Sequence, residues 1–360
     1  MHDSTRYYLG FNLVNGIGPA RLERLRDAFG SLGDAWGASA GELLRIGLDP
    51  KSVESLLSTR RSLDLDAELE RIAAAGVRLI TREDPAYPDS LVNIPSPPPL
   101  LYVRGSLSAD DSWAVAVVGT RSPTSYGRDN ARRFASELAA AGITVVSGLA
   151  LGTDTIAHTA AIEANGRTIA VLPCGVDFVY PERNGGLAQQ IIERGALVSE
   201  FPYGTRPSPQ LFPVRNRLIS GLARGVLVVE AGETSGALIT VNYALEQSRD
   251  VFAIPGPIYS LKSVGTNRII RDGAHLVTAV HDILSTLDMV AAASRRETRA
   301  AMPTDLAEIA LISQIGYEPR SADELSRALD LPIADVSATL TMLEIKGLVR
   351  QIGAMQFVLQ

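Results

Sequence analysis

Apolar residues fall into three regimes along this chain. From residue 1 to about 65 they recur at helical spacing in short stretches cut by glycine, as in "NLVNGIGPARLERLRDAFGS", which predicts a small helical domain. Between about 112 and 287 six short apolar runs, "WAVAVVG", "ITVVSG", "TIAVLP", "ALVSE", "GVLVVEA" and "DVFAIPG", each precede a segment of helical periodicity. Continuous apolar strands alternating with helices predict an α/β domain whose parallel sheet is covered on both faces. From 305 to 360 the order is helix, helix, helix and a strand pair, "LVRQIGAMQFVLQ", which is the order of a winged helix-turn-helix.

The connections complete a four-part division. Residues 1–65 form the helical domain and 66–287 the core with its N-terminal extension. That extension, from about 66 to 110, holds a short helix, a strand and a proline-dense connection that cannot be regular helix. Residues 288–304, "MVAAASRRETRAAMPT" in the main, read as a linker before the winged helix at 305–360.

Composition narrows the class. A chain of 360 residues with 46% apolar and 21% charged residues has ample material for two or three folded cores. No apolar run approaches a membrane span and "MHDSTRYYLG" lacks the order of a signal peptide, so the expectation is a cytoplasmic protein without a membrane partner. The single cysteine, Cys174 in "AVLPCGVD", excludes an internal disulfide and reads as a small buried residue. The histidines His2, His158, His275 and His281 are scattered. Asp154 and His158 share a helix face but are too few for a metal, and read as a cap and a satisfied core histidine. No metal and no cofactor are expected.

The net charge of −6 hides a local asymmetry. Between Glu200 and Glu230 there is no acid, yet Arg206, Arg215, Arg217 and Arg224 stand there. The windows Asp111 to Asp129, with Arg121 and Arg128, and Asp250 to Asp272, with Lys262, Arg268 and Arg271, are equally free of acid. Ligands on doubly wound sheets gather at the carboxyl ends of the strands, where these windows lie.

Three loops carry candidate chemistry. In "VAVVGTRSPTSYG", Gly119, Thr120 and Arg121 follow a strand, and the wide glycine spacing differs from the tight dinucleotide-binding fingerprint. Arg121 either points into the ligand crevice or pairs with a loop carboxylate. In "SEFPYGTRPSPQLFPVRNR", Phe201, Tyr203 and Phe212 interleave with Arg206, Arg215 and Arg217, the composition of a groove for single strands, with Phe201 assigned to the core. Arg215, Asn216 and Arg217 are read as introducing a helix, where two positive side chains oppose the positive helix end. That repulsion predicts a loop that stays mobile until an anion occupies it. In "EAGETSGALIT", Thr234, Ser235 and Gly236 open a helix and suit either an ordinary cap or an anion. The hairpin Gly-Ile-Gly-Pro near the N-terminus serves either a phosphate contact or a simple turn. The third winged-helix helix carries Asp335 and Glu344 against Lys346, which favours a protein contact or packing over reading DNA.

Taken together, "VAVVGTRSPTSYG", "VVSGLALGTDTIAH", "VLPCGVDFVYPERN", "SEFPYGTRP", "FPVRNRLISGLA", "VVEAGETSGALITVNYALEQSRDVFAIPG" and "SVGTNRIIRDGA" resemble the DNA-processing protein A family (DprA/Smf). The resemblance implies a Rossmann-like, doubly wound core between a small domain of sterile-alpha-motif or helix-hairpin-helix type and a winged helix. It also implies a non-catalytic protein that binds single-stranded DNA, protects it and loads RecA recombinase onto it in natural transformation, acting as a homodimer. The residues it marks for single-stranded DNA are Gly119, Thr120, Arg121, Phe212, Arg215, Asn216 and Arg217; Arg206, Ser235, Gly236 and Asn267 complete the candidate set. One departure is that Arg206 stands six residues before Phe212, farther than the basic residue many relatives place there.

Two rival readings remain. A nucleotide-binding or phosphoribohydrolase-like Rossmann enzyme would use Glu230 or Glu233, although "VVEAGETSG" lacks the Pro-Gly-Gly-x-Gly-Thr loop of such enzymes. A sequence-specific regulator would act through the winged helix, which predicts a preference for duplex DNA.

Overall fold

The computed structural model describes residues 4–289, 306–315, 319–345, 348–352 and 356–359. By contact density the chain forms two compact units, Met1–Met289 and Val290–Gln360.

The first unit opens with six helices: α1 (Thr5–Asn12), α2 (Pro19–Phe29), α3 (Leu32–Gly37), α4 (Ala40–Arg45), α5 (Pro50–Ser62) and α6 (Leu65–Ala74). Their starts are written in the sequence. Ser31, Ser39, Asp49 and Asp64 each accept a backbone N–H of the first turn, and Pro19 and Pro50 occupy the position where no N–H is needed. Leu9, Phe11, Leu25, Leu43, Leu56 and Ile72 build a core continuous with Leu100, Tyr102 and Val176, so these helices rest directly on the sheet. The glycine hairpin turns α1 into α2. Gly16 sits at a φ of +90°, and Arg21 ties the turn to α5 through Gly16 O, Ser52 and Asp49.

The sheet then assembles from β1 (Arg78–Thr81) and, after the short α7 (Asp89–Val92), β2 (Leu100–Gly105) and β3 (Ala114–Val118). It continues through α8 (Ser125–Ala140), β4 (Thr144–Ser147), α9 (Thr153–Glu163), β5 (Thr168–Val171), α10 (Gly185–Arg194), β6 (Ala196–Ser199) and α11 (Leu211–Gly221). The last elements are β7 (Gly225–Val228), α12 (Ala237–Glu246), β8 (Asp250–Ala253), α13 (Val264–Arg271), β9 (His275–Leu276) and α14 (Val280–Thr286). The six predicted strands are β3 to β8. Two strands of this sheet escaped the sequence reading: β2, which leaves the proline-dense connection, and β9, only two residues long.

The strand order is β1-β2-β6-β5-β4-β3-β7-β8-β9. Strands β3 to β9 run parallel, while β2 pairs antiparallel with both β1 and β6. Sequence order falls from β6 to β3 and then jumps to β7. The reversal opens a crevice beyond the carboxyl ends of β3 and β7, where Val118 and Val228 are paired. All residues of β3 to β7 are buried, as expected of a sheet covered on both faces.

In the second unit, helices Leu306–Gln314, Ala322–Leu329 and Ile333–Ile345 pack with the strands Arg320–Ser321, Val349–Gln351 and Gln356–Leu359, the last strand lying between the other two. Leu311, Leu325, Val336, Leu340, Leu343, Val349 and Phe357 form its core, giving a winged helix. Glu344 is engaged structurally, accepting the N–H of Gln351 at 3.1 Å. Lys346, His2 and residues 290–304 of the expected linker lie outside the described residues.

Candidate nucleic-acid interface

An open pocket of about 590 Å³ occupies the crevice at the strand-order reversal. Segments following five strands converge on it: Gly119 to Arg121 after β3, Ala150 and Asp154 after β4, Tyr180 after β5, the first turns of α11 after β6, and Ser235 to Ala237 after β7.

The loop after β3 is clamped from below. Thr120 donates its N–H to Glu230 O at 2.8 Å and accepts the Thr153 N–H at 3.2 Å. A Cβ on Gly119 would stand 2.6 Å from Thr153 Oγ1, so only glycine permits this approach. The Glu230 carboxylate accepts the N–H of Thr124 at 2.9 Å and its hydroxyl at 2.6 Å. Gly127 makes room for that carboxylate, since a Cβ there would fall 2.1 Å from Glu230 Oε2. The backbone is thereby fixed while Arg121 stays exposed.

Arg121 has no ion-pair partner among the described residues. Its guanidinium carbon lies 5.2 Å from the centroid of the Phe212 ring, within cation–π range. Tyr180 meets the same ring edge to face at 5.6 Å. Phe212 is half-buried, so the pocket mouth presents a ring together with a charge that faces no carboxylate.

Arg215 and Arg217 do not introduce a helix. The helix α11 begins at Leu211, four residues earlier than Arg215, and takes both into its interior. Residues two apart on a helix are separated by about 200°, so the two guanidinium groups leave on opposite sides and the expected repulsion does not arise. Arg215 is only 3% exposed. It donates to Gly148 O at 2.9 Å and to Val171 O, covering the carboxyl end of β5 from beneath the pocket. Burial lowers its pKa to about 10, while the neighbouring Asp154 works to raise it. Asp154 accepts the N–H groups of Gly148 and Ala150 at 3.1 and 3.2 Å, and its carboxyl is pushed up by burial against the opposing influence of Arg215. The expected cap at Asp154 is thus a brace for the loop after β4.

Arg217 corrects the sequence reading. It forms a buried ion pair with Glu200, whose carboxyl is raised by burial and lowered by this arginine. It faces away from the pocket and is not among the residues lining it. Asn267 is likewise turned elsewhere: its amide accepts the Gly256 N–H at 3.1 Å and donates to Gly256 O at 2.9 Å, clipping that loop to α13. Arg206 is exposed in a neighbouring hollow with Asp177 and Glu182, separated from the pocket by Tyr180. Tyr203 packs on the N-terminal helices with Arg71 at 4.7 Å from its ring, and Phe201 is half-buried.

Gly119, Thr120, Arg121, Phe212, Arg215, Asn216, Ser235 and Gly236 do come together around the pocket. Gly236 caps α12, Ser235 Oγ accepts the Ala237 N–H at 3.3 Å, and Asn216 reaches across to Gly236 O at 3.4 Å. Sequence reasoning missed Tyr180, which forms a wall, and the position of Lys262. The Lys262 ammonium donates to Ser122 at 2.9 Å, beside Arg121. The acid-free window around Lys262 was the available signal. His158 is buried with Nδ1 2.6 Å from Thr168 Oγ1, while its Nε2 has no hydrogen-bond partner among the described residues, so the expected satisfied core histidine is satisfied there on one side only. Cys174 is buried, and burial pushes its thiol up to about 12.

Comparison with known proteins agrees with this architecture. The family model for DNA recombination-mediator protein A matches residues 78–288, and that for the DprA winged helix domain matches 295–354. The Smf protein of Synechocystis is 36% identical over 98% of this chain and 98% of its own. The solved structure of DNA processing protein A from Streptococcus pneumoniae superimposes with a TM-score of 0.69 at 34% identity, covering 79% of this chain and 98% of that one. That of Helicobacter pylori DNA processing protein A, which has a described single-stranded DNA binding mode, gives 0.53 at 31% identity over 59% of this chain and 95% of that one. The chain, with its mostly parallel sheet, N-terminal helices and winged helix, belongs to the DNA processing protein A (DprA/Smf) family.

Proposed function

We propose that this chain binds single-stranded DNA in the pocket at the carboxyl ends of β3 and β7. The carrying observation is the pairing of an exposed arginine, Arg121, with the half-buried ring of Phe212 at 5.2 Å. Phosphate meets the guanidinium, and an unpaired base stacks at the ring. Arg215, beneath the floor, adds a fixed positive field, while Ser235 and Gly236 offer the start of α12 to an anion. The described binding mode of the Helicobacter pylori relative supports the same ligand class. Arg217 and Asn267 act by holding the fold and make no contact with the strand.

The chain acts as a binding protein in the cytoplasm, with no catalytic step. Of the two carboxylates an enzyme of phosphoribohydrolase type would use, Glu230 is 2% exposed and occupied by Thr124, and Glu233, although exposed, is not among the residues lining the pocket. Loading of RecA onto the captured strand in transformation and recombination, through a homodimer, rests on the family resemblance. A RecA-filament assay on single-stranded DNA coated with binding protein tests the reading. Faster filament growth with this chain supports it; unchanged growth, or release of free base from nucleotides, overturns it.

A further inference from the structure

Beside the pocket, the loop after β8 and the start of α8 flank the Thr120–Pro123 loop and carry cations and a ring that the binding reading leaves unused. Lys262 reaches from the loop after β8 to Ser122 Oγ at 2.9 Å and Thr120 Oγ1 at 3.4 Å. Arg128, at the start of α8, donates to Pro123 O at 2.9 Å. With Arg121 they place three cations around one loop, and none of them makes an ion pair among the described residues.

Three residues before Lys262, Tyr259 is 91% exposed, between Ile258 at 79% and Leu261 at 82%. None of the three contributes to a core, and large exposed apolar groups in a row mark a contact surface. The turn that presents them is nevertheless braced. Ser260 N–H donates to Pro257 O at 3.0 Å and Ser263 N–H to Ser260 O at 2.9 Å, while Asn267 holds Gly256 from both sides. An exposed ring on a braced turn, next to an amine with no carboxylate beside it, has the chemistry of a stacking platform. The opposite rim has the reverse character: beyond Tyr180 the hollow holds Asp177 and Glu182 against Arg206, and carboxylates repel a phosphate backbone.

We propose that the Arg128–Tyr259–Lys262 rim is a second subsite for single-stranded nucleic acid. The strand seated at Phe212 continues over the loop after β3, its phosphates meeting Lys262 and Arg128 and a further base stacking on Tyr259. This rests on the single-strand reading of the pocket. It sets the direction in which the strand leaves, toward β8 and away from Arg206.

The test is an anisotropy titration of the full chain with labelled oligothymidylates from about 4 to about 16 nucleotides, the range of single-strand site sizes, at several salt concentrations. Wild-type affinity should climb with length. Tyr259→Ala should bind the longest oligonucleotide about tenfold more weakly and the shortest as wild type does, Tyr259→Phe should restore the difference, and Tyr259→Leu should not. Lys262→Ala and Arg128→Ala should each lose about 0.7 of log–log salt slope on long oligonucleotides only. Arg128 and Tyr259 keep the test valid if removing Lys262 disturbs the loop it holds. Wild-type affinity and slope in all three alanine variants, alongside weakened binding by Arg121→Ala, would overturn the subsite and leave the pocket standing. A wild-type chain that binds no length would overturn both.

Discussion

Arg121, in the loop after β3, and Phe212, in the first turn of α11, meet at the pocket mouth with the guanidinium carbon 5.2 Å from the ring centroid. Each positions the other, so their contributions to binding are coupled. Phe212→Ala should weaken binding of a single strand by about 1–3 kcal/mol while leaving the salt slope nearly unchanged, because stacking releases few counterions. The double variant with Arg121→Ala should lose less than the sum of the single losses, by about 0.5–1 kcal/mol. An anisotropy-based double-mutant cycle checks this; strict additivity would show that the two act separately.

Arg215 should prove a structural residue first. Arg215→Ala leaves Asp154 as a buried carboxyl without its cation and frees two buried carbonyls, a loss of about 3–5 kcal/mol. One nitrogen, Nη1, serves both carbonyls, so the three donors of a lysine ammonium can replace part of this, and Arg215→Lys should recover a share of the loss that Arg215→Ala does not. Urea unfolding followed by circular dichroism reads both variants. Near-wild-type stability of Arg215→Ala would show that the guanidinium is not needed beneath the floor.

Arg217 separates in the same way from DNA contact. Arg217→Ala strands the buried Glu200 and should lower the urea midpoint, whereas joint replacement by Arg217→Met and Glu200→Leu should restore most of the loss. Under conditions where Arg217→Ala is folded, its salt slope for single-stranded DNA should equal that of wild type. A slope reduced by about 0.7 would place the guanidinium on a phosphate instead.

His158 makes stability depend on pH. Burial first, and then the charge of Arg215, push its pKa down to about 3, against about 6.5 for an unperturbed imidazole. Between those values the unfolded chain binds more protons, so this contribution is present above about 6.5 and is lost as pH falls, by up to ~1.4 kcal/mol per unit. Asp154 and Glu200, raised by burial, act in the opposite sense above the usual carboxylate range, because the folded state takes up their protons first. Comparing wild type with His158→Gln isolates the imidazole. The stability difference between them should shift against wild type from about pH 7.5 to about pH 5; a constant difference would mean that His158 is not held neutral.

The sheet was legible because buried parallel strands appear as continuous apolar runs, and β3 to β8 do so. Two-residue β9 carries no periodicity, and β2 was obscured by the prolines before it. Within the candidate site, acid-free windows pointed to segments that converge on the pocket but not to the direction of each side chain. Arg215 and Arg217 look alike in sequence, yet the helix beginning at Leu211 sends one beneath the pocket and the other to Glu200. Asn267 and Arg206 stand apart from the pocket for a related reason: the groups that surround them, Gly256 in one case and Asp177 with Glu182 in the other, are not their neighbours in sequence.

The most direct measurement is the salt dependence of single-stranded DNA binding by Arg121→Ala, read by fluorescence anisotropy. Arg121 is exposed and unpaired among the described residues, so the variant should unfold as wild type does. Binding of any sequence should weaken, with about 0.7 lost from the log–log slope for each phosphate contact removed. Wild-type affinity and an unchanged slope would contradict the assignment of this pocket to single-stranded DNA.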